Sequence, residues 1–293
     1  MDTSQKFIHA ALVGSSIQAS LTPAMHMAEA RRQGLDYRYD LIDLATLGAG
    51  AELLPEILAR AQREGLVGLN VTHPCKQAVI AHLDTLSDDA AALGAVNTVV
   101  FDNGRCCGHN TDWWGFAEGF RLRLPRAGLG HVVQLGAGGA GAATAYAILM
   151  LGAERLSIFD PDPTRTESLC SAMRARFPRV AIEAGDDLRT AMTEATGLIH
   201  ATPTGMASYP GLPLDPDLLR PNHWVAEIVY FPLETPLLFE ARRRGCSVAD
   251  GGGMAVFQAV RAYRLFTGRE ADADRMLDHF RSLTGGGMPE VVA

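Results

Sequence analysis

Two groups of residues in this chain have types and spacing that could do chemistry. The first centres on a lysine. Of 26 basic residues only Lys6 and Lys76 are lysine, and the rest are arginine. Lys76 lies in the stretch GLNVTHPCKQ, residues 68 to 77, just after a strand-like run. Arginine holds its proton too tightly to exchange it, whereas lysine releases one readily when partly desolvated. A lysine kept where arginine otherwise serves is a candidate for proton transfer. Its bland alternative is an exposed residue in the first turn of a helix. His73 nearby is either a second acid–base group or a packing and hydrogen-bonding residue. The second group is HVVQLGAGGAGAATAYAILM, which places Gly136, Gly138 and Gly141 between a strand and a helix. Glycines at this spacing let backbone amides, including those around Ala137, Gly139 and Ala140, approach a pyrophosphate at a helix N-terminus. Asp160 ends the next strand, LSIFD, at the interval expected of an acid that accepts the adenine-ribose hydroxyls. Its charge would repel a 2′-phosphate, so NAD is expected over NADP, although Arg165 could soften that preference. The alternatives are a tightly packed glycine turn, and Asp160 as a cap for the helix starting at Pro163.

The elements that must position these groups alternate between strand and helix, which predicts an α/β protein with largely parallel sheets. KFIHAALVG reads as a first strand. TPAMHMAEARRQG reads as a helix with Thr22 as cap, Pro23 in its first turn and Gly34 as stop. A helical stretch is expected over residues 75 to 93, then a hairpin around Asp102-Asn103-Gly104. From residue 131 the pattern becomes a complete doubly wound unit. The fold expected is thus a two-domain α/β protein. Residues 1–112, completed by C-terminal helices in 254–293, form an α/β substrate domain, and 113–253 form a Rossmann-type doubly wound dinucleotide-binding domain.

Composition limits the partners. A net charge of −7 argues against nucleic acid and against an anionic membrane surface. Five cysteines without framework spacing point to free thiols and to no metal site. The first residues lack a signal-like apolar core, and no apolar run approaches membrane length, so a cytoplasmic location is expected.

The segments SIQASLTP, LNVTHPCK, AVNTVV, GHNTDWWGF, TPTGM and DGGGMAVFQA, together with the glycine loop, resemble the shikimate dehydrogenase family from about residue 12 to 280. Ser20-x-Thr22-Pro23, the acidic Asp160 and the style of residues 223 to 235 look closer to the NAD-using quinate/shikimate branch. The resemblance implies a cyclic polyol carboxylate as substrate and hydride transfer between NAD and its ring carbon 3, with quinate or shikimate oxidised. The alternative is an NADP-dependent biosynthetic shikimate dehydrogenase; a sensor that has lost turnover is a rival of another class.

By the same resemblance Lys76 and Asp112 form the catalytic pair, the lysine moving the proton and the carboxylate orienting it. Ser20 and Thr22 would take the substrate carboxylate, and a hydroxyl pair at a helix N-terminus suits an anion. Thr at the second place departs from the usual serine and leaves the choice of polyol open. Thr72, Asn97 and Gln258 match ring-hydroxyl ligands, and Tyr230 a tyrosine near the carboxylate. Thr202, Pro203 and Met206 would flank the nicotinamide ribose, with Ile228, Gly251 and Met254 lining the nicotinamide pocket. Each of these polar residues has ordinary structural hydrogen bonding as its alternative. The chain is expected to act as a monomer or homodimer.

Overall fold

The computed structural model describes residues 7–285. Lys6 at the start of the expected first strand, and 286–293 within the expected substrate domain, lie outside the described residues. The chain divides into two units, one running to Thr111 and resuming at Gln258, the other spanning Asp112–Phe257. The division falls inside the helix Gly252–Thr267.

The first unit is built on a mixed six-stranded sheet, where the sequence pattern suggested a largely parallel one. Its strands are β1 (Ile8–Gly14), β2 (Tyr37–Asp43), β3 (Gly68–Val71), β4 (Thr85–Leu86), β5 (Thr98–Asp102) and β6 (Arg105–His109), in the order β2-β1-β3-β5-β6-β4. β1, β2 and β3 are parallel, while β5 runs antiparallel to both β3 and β6. The hairpin is as expected, with Asn103 and Gly104 at positive φ in its turn. Apolar runs supply the core: Leu54, Leu69, Val71, Val79, Val96 and Val99 cluster beneath one face. The expected helix over 75 to 93 is broken into Cys75–Ala78, a 3-10 turn at Val79–His82, β4 and Asp88–Leu93. Ser87, in extended backbone, caps the last piece and separates it from what precedes.

Helix Thr22–Arg32 is fastened to helix Ala273–Thr284 by a buried ion pair. Glu29, 1% exposed, receives both Nε and an Nη of Arg275 at 2.7 Å, the Asp272 amide at 3.1 Å and Gln33 Nε2 at 2.7 Å. Burial alone would raise the Glu29 pKa, but the Arg275, Asp272 and Gln33 hydrogen bonds outweigh it and hold the carboxyl below its usual range. The expected Thr22 cap is not made. Leu21 occupies the N-cap position, Thr22 is already helical, and the Thr22 amide lies 3.4 Å from Ser20 Oγ.

The second unit carries β7 (Val132–Leu135), β8 (Arg155–Phe159), β9 (Ala181–Ala184), β10 (Gly197–His200), β11 (Trp224–Glu227) and β12 (Ser247–Ala249). All are parallel, in the order β12-β11-β10-β7-β8-β9. Near-continuous apolar strands suit a sheet covered on both faces. The chain reverses its direction of travel between β7 and β10, where open α/β sheets form a crevice at their carboxyl edge. Among the described residues no helix is long and apolar enough to cross a membrane.

One buried group in the first unit ties stability to pH. His26, wholly buried, packs against Tyr37, Tyr39, Tyr263 and Phe266, and its Nδ1 lies 3.0 Å from the Tyr37 hydroxyl. Burial pushes its pKa from 6.5 down to about 3. Below pH 6.5 the unfolded chain binds a proton that the fold refuses, so stability falls as pH drops toward 3, by about 1.4 kcal/mol per pH unit for one proton. His109, His131 and His223 are lowered in the same direction by burial and add to the slope. We expect urea-unfolding free energies measured between pH 6.5 and about 5 to show this slope, and His26→Phe to remove one proton's share. An identical slope in the variant would show that His26 does not carry it.

Candidate active site

In the first unit the candidate substrate residues collect at one edge of the sheet. The segment Ser15–Ser20 follows β1, Thr72–Lys76 follows β3, Asn97 precedes the antiparallel β5, and Asn110–Thr111 follow β6. Backbone hydrogen bonds hold these turns together. Ser15 N–H donates to His73 O at 2.9 Å, Thr72 N–H to Val13 O at 2.9 Å, Val71 N–H to Asn97 O at 2.8 Å and Val96 N–H to Lys76 O at 2.8 Å. Lys76 is half-buried between the buried Cys75 and exposed Gln77, and His73 is exposed.

A buried polar ladder stiffens the same edge. Tyr39 donates to Asn70 Oδ1 at 2.7 Å, and Asn70 Nδ2 donates to Thr98 Oγ1 at 2.9 Å. Thr98 donates to Asn97 Oδ1 at 3.1 Å, which also receives the Thr111 amide at 2.8 Å, while Asn97 Nδ2 donates to Thr111 Oγ1 at 2.9 Å. Asn97 is 3% exposed. Gln258 and Thr72 belong to this unit and are half-buried.

Asp43 was missed by sequence reasoning. Its carboxylate ends β2 and receives the amides of Ser16 at 2.8 Å, Ile17 at 3.1 Å and Ala45 at 3.1 Å, with Gln18 Nε2 at 3.1 Å. Burial pushes this carboxyl up, but those donors prevail and hold it below its usual range. Asp43 therefore fixes the loop leading to Ser20, including Ser16 at its positive φ of 59°.

In the second unit the glycine loop lies at the carboxyl end of β7. Gly136 has φ +105°, and a Cβ there would run into the Ala201 carbonyl across the sheet's reversal point. Gly138 caps the helix Gly139–Met150 without a side-chain bond, and Gly138 and Gly139 are exposed, so the start of the helix is open to solvent. The fully buried Gln134 also went unnoticed. Its Nε2 donates to Gly136 O and Gly141 O at 2.9 Å each, and Thr144 donates to its Oε1 at 2.9 Å. This amide closes the loop from below.

Asp160 does not cap the following helix; Asp162 does so through the amides of Thr164 and Arg165. Asp160 instead receives the Ala137 amide at 2.8 Å on one oxygen and the Asp162 amide at 2.9 Å on the other. Arg165 stands in the helix's first turn, its side chain 65% exposed, 3.2 Å from Asp162.

The remaining strand ends carry the residues expected on the nicotinamide side, and Tyr230, expected near the substrate carboxylate. Thr202, Pro203 and Met206 follow β10, Ile228 and Tyr230 follow β11, and Gly251 and Met254 follow β12. A Cβ on Gly251 would collide with the carbonyls of Ile228 and Val229, so glycine lets these two segments meet. Asp112 opens the helix Asp112–Arg123 and is 6% exposed. Tyr230 is 39% exposed, yet packing around its ring, and next the Asp112 charge, hold its hydroxyl above the usual range. A phenol so held stays a hydrogen-bond donor.

This arrangement matches known proteins along nearly its whole length. The Shikimate dehydrogenase substrate binding domain matches residues 12–99, and the Shikimate 5'-dehydrogenase C-terminal domain matches residues 251–279. A Shikimate dehydrogenase (NADP(+)) of Streptomyces avermitilis is 56% identical over 276 residues, 94% of this chain and 95% of the relative. A Quinate/shikimate dehydrogenase (NAD(+)) of Corynebacterium efficiens is 47% identical over 275 residues, 93% of this chain and 97% of the relative. The structure of quinate dehydrogenase from Corynebacterium glutamicum in complex with NAD superposes with a TM-score of 0.89 at 43% identity, over 94% of this chain and 99% of that one.

These likenesses overturn the expected preference for NAD, and with it the expected NAD-dependent activity, because the NADP-named relative at 56% identity is closer than the NAD-named one at 47%. The charge argument treated Asp160 as a bare carboxylate facing the ribose. Two backbone amides already partly offset that charge, and the exposed Arg165 pairs with Asp162, two residues on. The chain pairs a mixed substrate-type sheet with a parallel Rossmann-type sheet and carries the match across 94% of its length; it belongs to the shikimate dehydrogenase family.

Proposed function

We propose that this protein is an NADP+-dependent shikimate dehydrogenase, transferring hydride between the nicotinamide and a secondary ring alcohol of a cyclic polyol carboxylate. The observation that carries the reading is 56% identity, over 94% of the chain, to a relative named for that activity. The glycine loop and the segments carrying Lys76 and Asp112 are among those that resemble the family motifs, which supports the reading.

In this reading the dinucleotide pyrophosphate meets the amides at the start of helix Gly139–Met150, whose dipole favours anionic groups. The bound dinucleotide supplies the hydride acceptor. Arg165 is the guanidinium for the adenosine 2′-phosphate, since a planar fork matches phosphate geometry and a surface pair with Asp162 costs little to release. Ser20 and Thr22 take the substrate carboxylate at the start of helix Thr22–Arg32, and Tyr230 adds a donor. Thr72, Asn97 and Gln258 face the ring hydroxyls. As the hydride leaves, Lys76 accepts the alcohol proton and Asp112 serves as the orienting carboxylate. Thr202, Pro203, Met206, Ile228, Gly251 and Met254 form the nicotinamide side.

Three measurements test this. Initial rates with shikimate and with quinate, each with both nicotinamide cofactors, are expected to give the highest kcat/KM for shikimate with NADP+; a higher value with NAD+ would remove the cofactor half of the reading. Arg165→Ala is expected to raise the KM for NADP+ about tenfold and leave that for NAD+ nearly unchanged, the worth of one charge-assisted contact. Lys76→Ala is expected to lower kcat by about 10²–10⁴-fold while leaving NADPH binding intact. Lys76→Arg should fail equally, because a guanidinium stays protonated near neutral pH and cannot act as the base. Wild-type turnover in either lysine variant would end the mechanism.

A further inference from the structure

Two buried side chains in the second unit have no part in the reaction just described. His200 ends β10 and Glu227 ends β11, and they are register partners across the parallel pair. They are 0% and 2% exposed. His200 Nδ1 lies 2.9 Å from both Glu227 oxygens, and its Nε2 lies 2.5 Å from Thr202 Oγ1. Glu227 also receives the Ile228 amide at 2.9 Å, the Val229 amide at 3.0 Å and the Thr235 hydroxyl at 3.1 Å.

Donor counting fixes the inner end of this chain of bonds. A carboxylate offers about four acceptor sites, and here four groups converge on it: two amides, one hydroxyl and the imidazole. The imidazole must therefore carry a proton on Nδ1. The other ring nitrogen, Nε2, shares one hydrogen bond with the Thr202 hydroxyl. Thr202 Oγ1 also receives the Thr204 amide at 3.3 Å. The chain of bonds runs from a saturated carboxylate to a half-buried hydroxyl, and it ties two segments through a single group.

We propose that His200 and Glu227 are a positioning pair. They lock the segments Thr202–Met206 and Ile228–Tyr230 into one surface and hold the Thr202 hydroxyl in a fixed orientation for a polar group on the nicotinamide half of the cofactor. The inference rests on the reading above for where the nicotinamide lies. Glu227 anchors Ile228 and Val229, whose carbonyls press against Gly251, so the pair also sets the wall opposite Thr202.

The test is a cycle of His200→Leu, Thr202→Val and the double variant. It is read by steady-state kinetics and by titration with NADPH, following nicotinamide fluorescence. Each single variant is expected to raise the KM for NADP+ and lower kcat, each by about tenfold, with the KM for shikimate within about twofold, the size expected for one oriented hydrogen bond. The double variant is expected to be no worse than His200→Leu, because both residues act through one bond. Additive losses, or wild-type NADPH affinity in Thr202→Val, would overturn the proposal. Thr202→Val removes the exposed end of the chain and no buried charge, so it decides the matter alone if His200→Leu does not fold. NADPH titration needs no turnover: a wild type that binds NADPH but oxidises no polyol refutes the functional reading and leaves this measurement standing.

Discussion

Every parallel strand that stops at a working edge leaves amides and carbonyls with no ladder partner, and a buried unpaired group of this kind costs about 1–3 kcal/mol. This protein meets that constraint with a few buried polar side chains, each collecting several backbone groups at once. Asp43 gathers three amides at the end of β2, Gln134 bonds two carbonyls under the glycine loop, and Glu227 takes two amides at the end of β11. Asp160 does the same with the amides of Ala137 and Asp162. The loops at the carboxyl edges keep their shape because these side chains hold them.

The same constraint explains what could be read from the sequence and what could not. The doubly wound order, the glycine loop, the hairpin at Asn103-Gly104 and the distinct Lys76 rest on local patterns: apolar periodicity, glycine spacing and a residue type out of keeping with its background. Asp43 reaches back 27 residues to Ser16, and His200 meets Glu227 27 residues on. Nothing local marks such a partnership, because strand order alone brings the two ends together. Gln134 offered the best clue, a polar residue inside an otherwise apolar strand immediately before the glycine loop. The broken stretch from 75 to 93 was less legible, because alanine-rich sequence suits a helix locally while β4 pairs with β6 through tertiary contacts.

Asp160 shows how a correct placement can yield a wrong inference. Its position at the end of β8 is as the spacing implied, but charge at a sequence position is not potential at a ligand. A carboxylate that accepts backbone amides on both oxygens has part of its field met by those dipoles, and a nearby guanidinium can dominate what remains. Discrimination between two cofactors that differ by one phosphate is a difference between such sums. A single acidic residue therefore sets the geometry of the loop more firmly than it sets the choice of cofactor.

In the proposed mechanism Lys76 sits under the opposite demand from the residues that brace the loops. A group that accepts and returns a proton needs a fixed main chain and a side chain that can adjust as charge moves. The main chain around it is fixed: Val96 donates to the Lys76 carbonyl at 2.8 Å, Cys75 donates to Thr72 at 2.8 Å, and Cys75 and Val79 are fully buried on either side. The ammonium rides on a four-carbon stem beyond that anchor, with three donors that can reorient without moving the backbone. An arginine could be anchored there equally well, but a planar guanidinium that keeps its proton can only bind. The proposed chemistry thus asks for the one cationic residue type that this chain otherwise scarcely uses.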